Sequence, residues 1–330
     1  MNKHFSLLWC LWVLIVPKVW STHTNELMGG DAFTDSHKII EMPKKWVEKP
    51  IQYKNWAKEA DLAITLDQQL YPALLPVIQQ YARQNKLEIA VQEGTCGISN
   101  KGLKDKAVDI AGFCCPAGEA DRMVGIKFHT LGIAAIALIV NPNNPVNNLS
   151  LKQARQIFQG NLFRWSDIKG IRGSRRIIQA LGRLHCKQRP GHWRLLLDHE
   201  DLFSPRLFEV GTISDMLSEV AFDPYAIGYE TLWMVKLFHR QSRVKTLSIN
   251  HIKPQDNAKL IAGDYSLYRT YNVTTWESAQ TKNQQAQILV SHLINYMGRI
   301  DPKYGIVPVS KLRQAGWKFL KNELIGEPDK

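Results

Sequence analysis

From Asp61 onward, apolar positions recur at spacings that alternate between strand and helix. Residues 61–65 read as a short strand, Leu70, Leu74, Leu75, Ile78 and Tyr81 share one face at a helical period, and residues 87–91 read as a second strand. Residues 93–98 are turn-rich, a helical piece is expected around Lys101 to Lys106, and residues 107–113 read as a third strand. Strands alternating with helices predict a parallel sheet whose ligand loops gather at its carboxyl edge. Residues 132–140 are almost wholly apolar, as a strand buried on both faces should be, and Asn141-Pro142-Asn143-Asn144-Pro145 ends it. Ser150 is placed to cap a helix with Leu151, Ala154, Ile157 and Phe158 on one face, and Gly160 to stop it in the left-handed region. Further on, residues 214–221 read as a helix, 226–229 as a short strand, and 285–297 as an amphipathic helix ended by Gly298. No internal repeat interrupts the pattern, and its length predicts two α/β lobes rather than one small sheet.

The first segment follows a different logic. Met1-Asn2-Lys3-His4 precedes an apolar run from Phe5 to Val16, too short for the about 20 residues that cross a bilayer. A basic start and the small Ser21 after the run predict a secretory signal over residues 1–21 and hence export. Residues 22–57 are polar and Lys-rich, an expected N-terminal arm. The composition, 45% hydrophobic and 22% charged over 330 residues, excludes disordered and collagen-like classes. Lys and Arg number 42 against 30 Asp and Glu, a net charge of +12 that favours an anionic ligand. No zinc-finger spacing, basic-region heptad or aromatic ribonucleoprotein motif accompanies that charge, so nucleic acid is not an expected partner. Beyond the signal, Cys96, Cys114, Cys115 and Cys186 would meet an oxidising compartment, where disulfides are the default. Adjacent Cys114 and Cys115 are too close to bridge to each other, leaving two bridges, or one bridge and two thiols.

Four strings are more specific. Asn148 to Gly160 (NLSLKQARQIFQG) with Arg164-Trp165-Ser166-Asp167, Gly94-Thr95-Cys96-Gly97-Ile98 with Ala107-Val108-Asp109-Ile110-Ala111, Ala226-Ile227-Gly228-Tyr229, and Tyr265-Ser266-Leu267-Tyr268-Arg269 occur in this order. Together, over about Asp61 to Trp317, they resemble the phosphate-type solute-binding proteins of ABC importers. The resemblance implies a type II periplasmic binding protein, an α/β fold of two lobes around a ligand cleft. Lobe one would span 58–137 and 246–330, and lobe two 138–245. It further implies an exported, periplasmic, non-catalytic and monomeric receptor that needs no cofactor, closes on a small anionic solute and presents it to a membrane permease.

Carried over residue by residue, the resemblance makes Thr95 a hydroxyl ligand, with the backbone N–H groups of Cys96 and Gly97 beside it, and Asp109 the acid that selects a protonated oxyanion; the plain alternative for Asp109 is a strand-end cap. The first loop departs from the family, with Asp67 and Gln68 where small hydroxylic residues are usual, and a carboxylate there would repel phosphate. The lobe-two loop is also replaced, by Arg183 to Arg194, in which Arg183, Arg189, Gly191 and His192 are the candidate ligands and a bulkier organic anion fits better than bare phosphate. Cysteines cluster in the same loops. A disulfide from Cys96 to Cys114 or Cys115 would staple them. A soft-metal site for Cu(I) or Zn²⁺ would instead draw on Cys96, Cys114, Cys115, His185, Cys186 and His192, with Asp67 as a hard ligand. A thiol-dependent enzyme using Cys96 or Cys186 near His185 or His192 is the remaining alternative.

Overall fold

The apolar run at residues 132–140 is the second half of a longer strand, Ile126–Val140, which organises the whole sheet. The computed structural model describes residues 33–168, 175–184, 195–197 and 200–329. The signal segment, and the candidates His185, Cys186, Arg189, Gly191 and His192, lie outside the described residues. No helix among the described residues is long and apolar enough to cross a membrane.

The arm carries a short helix, α1 (Lys44–Glu48). The βαβ opening follows as β1 (Leu62–Asp67), α2 (Tyr71–Asn85) and β2 (Ile89–Gly94), then α3 (Cys96–Lys104), β3 (Ile110–Phe113) and the long β4 (Ile126–Val140). Next come β5 (Asn148–Leu149), α4 (Leu151–Gln159), β6 (Gln179–Gly182), β7 (Phe208–Glu209), α5 (Ile213–Phe222), β8 (Ala226–Thr231) and α6 (Leu232–Leu237). The chain closes with β9 (Lys245–Thr246), β10 (Ser248–Ile249), α7 (Asn257–Ile261), β11 (Tyr268–Trp276), α8 (Gln284–Tyr296), β12 (Ile306–Pro308), α9 (Val309–Gln314), β13 (Lys318–Leu320) and β14 (Glu323–Gly326).

The sheet runs β2-β1-β3-β11-β4-β8-β6-β7, with β12 and β9 also paired to β4. It is parallel at both ends, β2-β1-β3 and β8-β6-β7, as the alternation of elements predicts. The centre corrects the all-parallel expectation, because β4 is antiparallel to β11, β12, β8 and β9. β4 pairs with β11 over residues 126–135 and with β8 over 136–140, so one strand belongs to both halves of the sheet. Its first part escaped the hydrophobic pattern because Lys127 and His129 alternate outward to partly exposed positions, whereas residues 130–140 are buried throughout.

Local signals account for the helices. Ser150 and Gln153 form a reciprocal capping box at the start of α4, and Gly160 ends it at φ +82°, where a Cβ would also meet Ser204 Oγ at 2.7 Å. α3 begins five residues before the expected Lys101, because the Thr95 hydroxyl accepts from Ile98 N at 3.3 Å and turns a glycine-rich stretch into a helix N-terminus. The arm is pinned by Lys106, whose Nζ donates to Val47 O (2.9 Å) and Lys49 O (2.6 Å) and lies 4.5 Å from the Trp46 ring centre. Arg122, paired with Glu323 at 2.6 Å, ties the arm's Thr34 to the β13–β14 hairpin.

His129 on β4 is a largely buried imidazole. Its Nε2 lies 2.8 Å from Thr275 Oγ1, and burial pushes its pKa down to about 4. The folded value is below the unfolded one of about 6.5, so as pH falls the unfolded chain takes the proton first and stability is lost from about pH 6.5 to 4. Between pH 7 and 4.5 this loss should be on the order of 2–3 kcal/mol. His129→Gln keeps a hydrogen-bonding side chain without the titration, and urea unfolding at the two pH values should show a shallower acid decline by that amount. Equal declines for the two proteins would show that His129 protonates freely in the fold.

Candidate functional site

The carboxyl ends of the parallel strands converge with the start of β11, and there the buried polar side chains gather. β1 ends on Asp67, and α3 begins with Cys96 directly after β2. β3 leads into Cys114 and Cys115, β6 into Arg183, and β8 ends on Glu230 and Thr231. β11 contributes Arg269 near its start. All of these side chains are buried.

Two connected networks result. On the β1–β3 side, Cys96 Sγ lies 3.5 Å from Asp67 Oδ2, 3.4 Å from Cys114 Sγ and 3.8 Å from Cys115 Sγ. Arg269 Nη1 donates to Cys114 Sγ at 2.8 Å, and the Gln69 backbone N–H donates to Asp67 Oδ1 at 2.8 Å. On the β6–β8 side, Glu230 Oε2 accepts from Arg183 Nη1 at 2.9 Å. Glu230 Oε1 accepts from Gln69 Nε2 at 2.9 Å and from Thr231 N at 2.8 Å. Thr231 Oγ1 donates to Gln69 Oε1 at 2.9 Å, so Gln69 and Arg269 join the two halves of the sheet. Arg269 Nη2 stands 3.8 Å from Glu230 Oε1, an ion pair beyond hydrogen-bond reach.

The electrostatics follow from burial. Asp67 is pushed well above the ordinary carboxylate range by desolvation, and next by the charge of Cys114. Asp67 therefore keeps its proton to higher pH than an exposed carboxyl, which lessens the repulsion of an oxyanion that a carboxylate at this position would exert. Burial opposes the charge on Arg269, but Cys114 and Glu230 outweigh it and hold the guanidinium further above its usual range. The Cys96 thiol is pushed up, first through its hydrogen bond with Cys114, which is the opposite of an activated nucleophile. Three guanidinium donors in this cluster, Arg183 Nε and Arg269 Nε and Nη2, are buried without a hydrogen-bond partner among the described residues. Unpartnered buried N–H groups on two arginines from opposite halves of the sheet are what a small anion entering between them would engage.

The structure therefore brings Asp67, Cys96 and Arg183 together. Gln68, half-buried, adjoins them, its backbone N–H bonded to Gly94 O at 3.0 Å. Thr95 and Gly97 are exposed at the start of α3, where the Thr95 hydroxyl serves as the helix cap. Asp109 is a correction: it stands before β3, at the opposite end of that strand from Cys114. Its carboxylate accepts from Tyr53 OH (2.5 Å), Ala63 N (2.8 Å) and Asn283 Nδ2 (3.1 Å), which makes it a structural lock of the kind its strand-end alternative describes. The expected disulfide is also corrected, since Cys96, Cys114 and Cys115 are thiols whose 3.4 and 3.8 Å separations exceed the about 2.05 Å of an S–S bond. Sequence reasoning passed over Gln69, Glu230 and the charge of Arg269. A usable signal was present: Glu230 and Arg269 are charges at the ends of otherwise strand-like apolar strings, where an unpaired charge would be costly.

A model described as a PBP superfamily domain matches residues 54–297. Curated proteins named phosphate-binding protein PstS 2, from two strains of Streptococcus agalactiae, are 28% identical over 98 residues, which is 29% of this chain. The match spans only about a third (33%) of those relatives' length. Among solved structures, an ABC-type phosphate transport receptor from Vibrio cholerae superposes with TM-score 0.61 at 19% identity, covering 74% of this chain and 99% of that one. A substrate-binding protein with bound phosphate from Clostridium perfringens gives TM-score 0.62 at 16% identity, covering 75% of this chain and 99% of that one. At these identities the structural likeness speaks for the fold.

Proposed function

This chain belongs to the PBP superfamily, and from that premise we propose that it is an exported, non-catalytic receptor that closes two lobes on a small oxyanion and presents it to the membrane permease of an ABC importer. In this reading lobe one comprises residues 58–137 and 246–330, lobe two comprises 138–245, and β4 is one of the crossings between them. The observation that carries it is the set of unpartnered buried donors on Arg183, beyond β6, and Arg269, on β11. An anion bound between them would complete the coordination of both guanidinium groups and draw the lobes together, the usual hinge closure around a cleft ligand. Burial raises the pKa of Asp67, and a protonated Asp67 would add an O–H donor, which suits an oxyanion that keeps an acceptor oxygen facing it. Phosphate and sulfate are therefore both candidates, alongside small carboxylates.

The test is calorimetric titration of the full chain with phosphate, sulfate and a series of small carboxylates. One of them should bind at a single site, and Arg183→Met should weaken it by about 10–100-fold, the loss of one or two charge-assisted hydrogen bonds. The absence of binding by every anion tried, or equal affinity in the Met variant, would overturn the reading.

A further inference from the structure

We propose that Cys96, Cys114 and Cys115 form a three-thiolate site for one thiophilic d10 metal ion, beside the anion-binding arginines. The three sulfurs come from two segments of the chain. Cys96 opens α3, and Cys114 and Cys115 occupy a bend directly after β3. Consecutive residues of an extended strand point to opposite faces, so only the bend allows both sulfurs to approach Cys96. All three sulfurs lie within 4.8 Å of one another, with two of the separations 3.4 and 3.8 Å. A metal–sulfur bond of about 2.3 Å sets sulfurs about 3.8 Å apart in a tetrahedral site and about 4.0 Å apart in a trigonal one. The two separations from Cys96 lie within about 0.6 Å of either spacing, and the third is no more than 4.8 Å.

The surroundings match that chemistry. Three thiolates gathered in a buried pocket would repel one another unless a cation separates them, and Arg269, 2.8 Å from Cys114 Sγ, offsets one of their charges. With a divalent ion the thiolates and Arg269 sum to zero; with Cu(I) one negative charge remains. Asp67, 3.5 Å from Cys96, stands where it can hydrogen-bond the Cys96 sulfur as an acid or supply an oxygen to a four-coordinate ion. Soft sulfur donors in this number select Cu(I) or Zn(II) over Mg²⁺ or Ca²⁺. On binding, the metal takes the place of the thiol protons, which pass to solvent. The proposal rests on the receptor reading in one respect only, that opening of the cleft gives the ion a way in to these buried sulfurs.

The full chain, reduced with a phosphine and freed of metal, would be dialysed against Zn(II) and separately against Cu(I), then analysed for metal and by X-ray absorption. The expected result is one ion per chain in at least one arm, with three sulfurs at about 2.3 Å. Three sulfurs alone in the Cu(I) arm would identify a trigonal site, and three sulfurs plus one oxygen in the Zn(II) arm a tetrahedral one. Cys115→Ser should lower the affinity at least 100-fold; if that variant does not fold, the sulfur count on the parent decides. No retained metal in either arm, two or fewer sulfurs, or unchanged affinity in the Ser variant overturns the proposal. Isolation of the exported protein with Cys96 already bridged to Cys114 or Cys115 overturns it as well. Titration of the same preparation with phosphate, sulfate and the small carboxylates separates the readings: anion binding without metal binding removes this inference alone, and metal binding without binding of any of these anions removes the oxyanion reading alone.

Discussion

Glu230→Ala is expected to destabilise the protein by about 3–5 kcal/mol in urea unfolding, because it leaves buried positive charge without its counter-charge. Glu230 is 1% exposed, Arg183 is 4% and Arg269 is 3%, so water cannot take over the role of the carboxylate. The same substitution frees Gln69 Nε2 and the Thr231 backbone N–H, each a buried donor that then needs a new partner. Glu230→Gln keeps an acceptor for those two groups and removes only the charge, so its loss should be smaller than that of the Ala variant. If the oxyanion reading holds, the anion that binds in the titration should recover part of the loss in both variants, since a ligand that binds the folded state stabilises it by mass action. A loss under about 1 kcal/mol for Glu230→Ala would mean that the arginines are hydrated in solution and that the network is not closed.

Gly132→Ala should cost about 3 kcal/mol, from backbone crowding rather than charge. A Cβ at this position would lie 2.2 Å from the Val307 carbonyl oxygen and 2.9 Å from Ile306 Cγ2. Both belong to β12, which pairs with β4 at Gly132 itself, and Gly132 is also the β4 partner of Tyr271 on β11. The neighbouring register step, Tyr271 to Gly132 followed by Asn272 to Thr130, leaves Leu131 as an extra residue, a bulge that fixes the bend of the strand. Alanine can be seated only by parting β12 from β4. Thermal unfolding by calorimetry should show a lowered midpoint, and a midpoint within a degree or two of the parent would show that β12 yields without cost.

How far the sequence disclosed this arrangement depended on whether the deciding force was local. The β1–α2–β2 opening was legible because its two periods are set by burial of one face of a helix and both faces of a strand. Ser150 and Gly160 announced α4 because cap chemistry needs only neighbours in the chain. The antiparallel centre was not legible, since the partners of β4 are chosen by distant segments and no spacing along the chain encodes them. At the site, Asp67, Cys96 and Arg183 were candidates because the family resemblance puts ligand loops at these positions, and the structure gathers the three in one buried cluster. Asp109 was misplaced because the family motif gives its position in the chain but not which end of β3 its carboxylate serves. Glu230 was passed over although its charge at the end of an apolar string asked for a counter-charge, because the residues that supply its partners, Arg183 and Gln69, are 47 and 161 positions away in the chain.

The long strand β4 also bears on how the chain reaches its folded state. Thr130 on β4 bonds to Asn272 on β11 across 142 residues, and the β12 partner lies later still. While the polypeptide emerges in order, the apolar edge at residues 132–140 is therefore synthesised well before its β11 and β12 partners exist. Such distant pairings slow acquisition of structure and prolong exposure of sticky edges. Production of this protein should thus depend on escort by holding chaperones until its final third has been delivered.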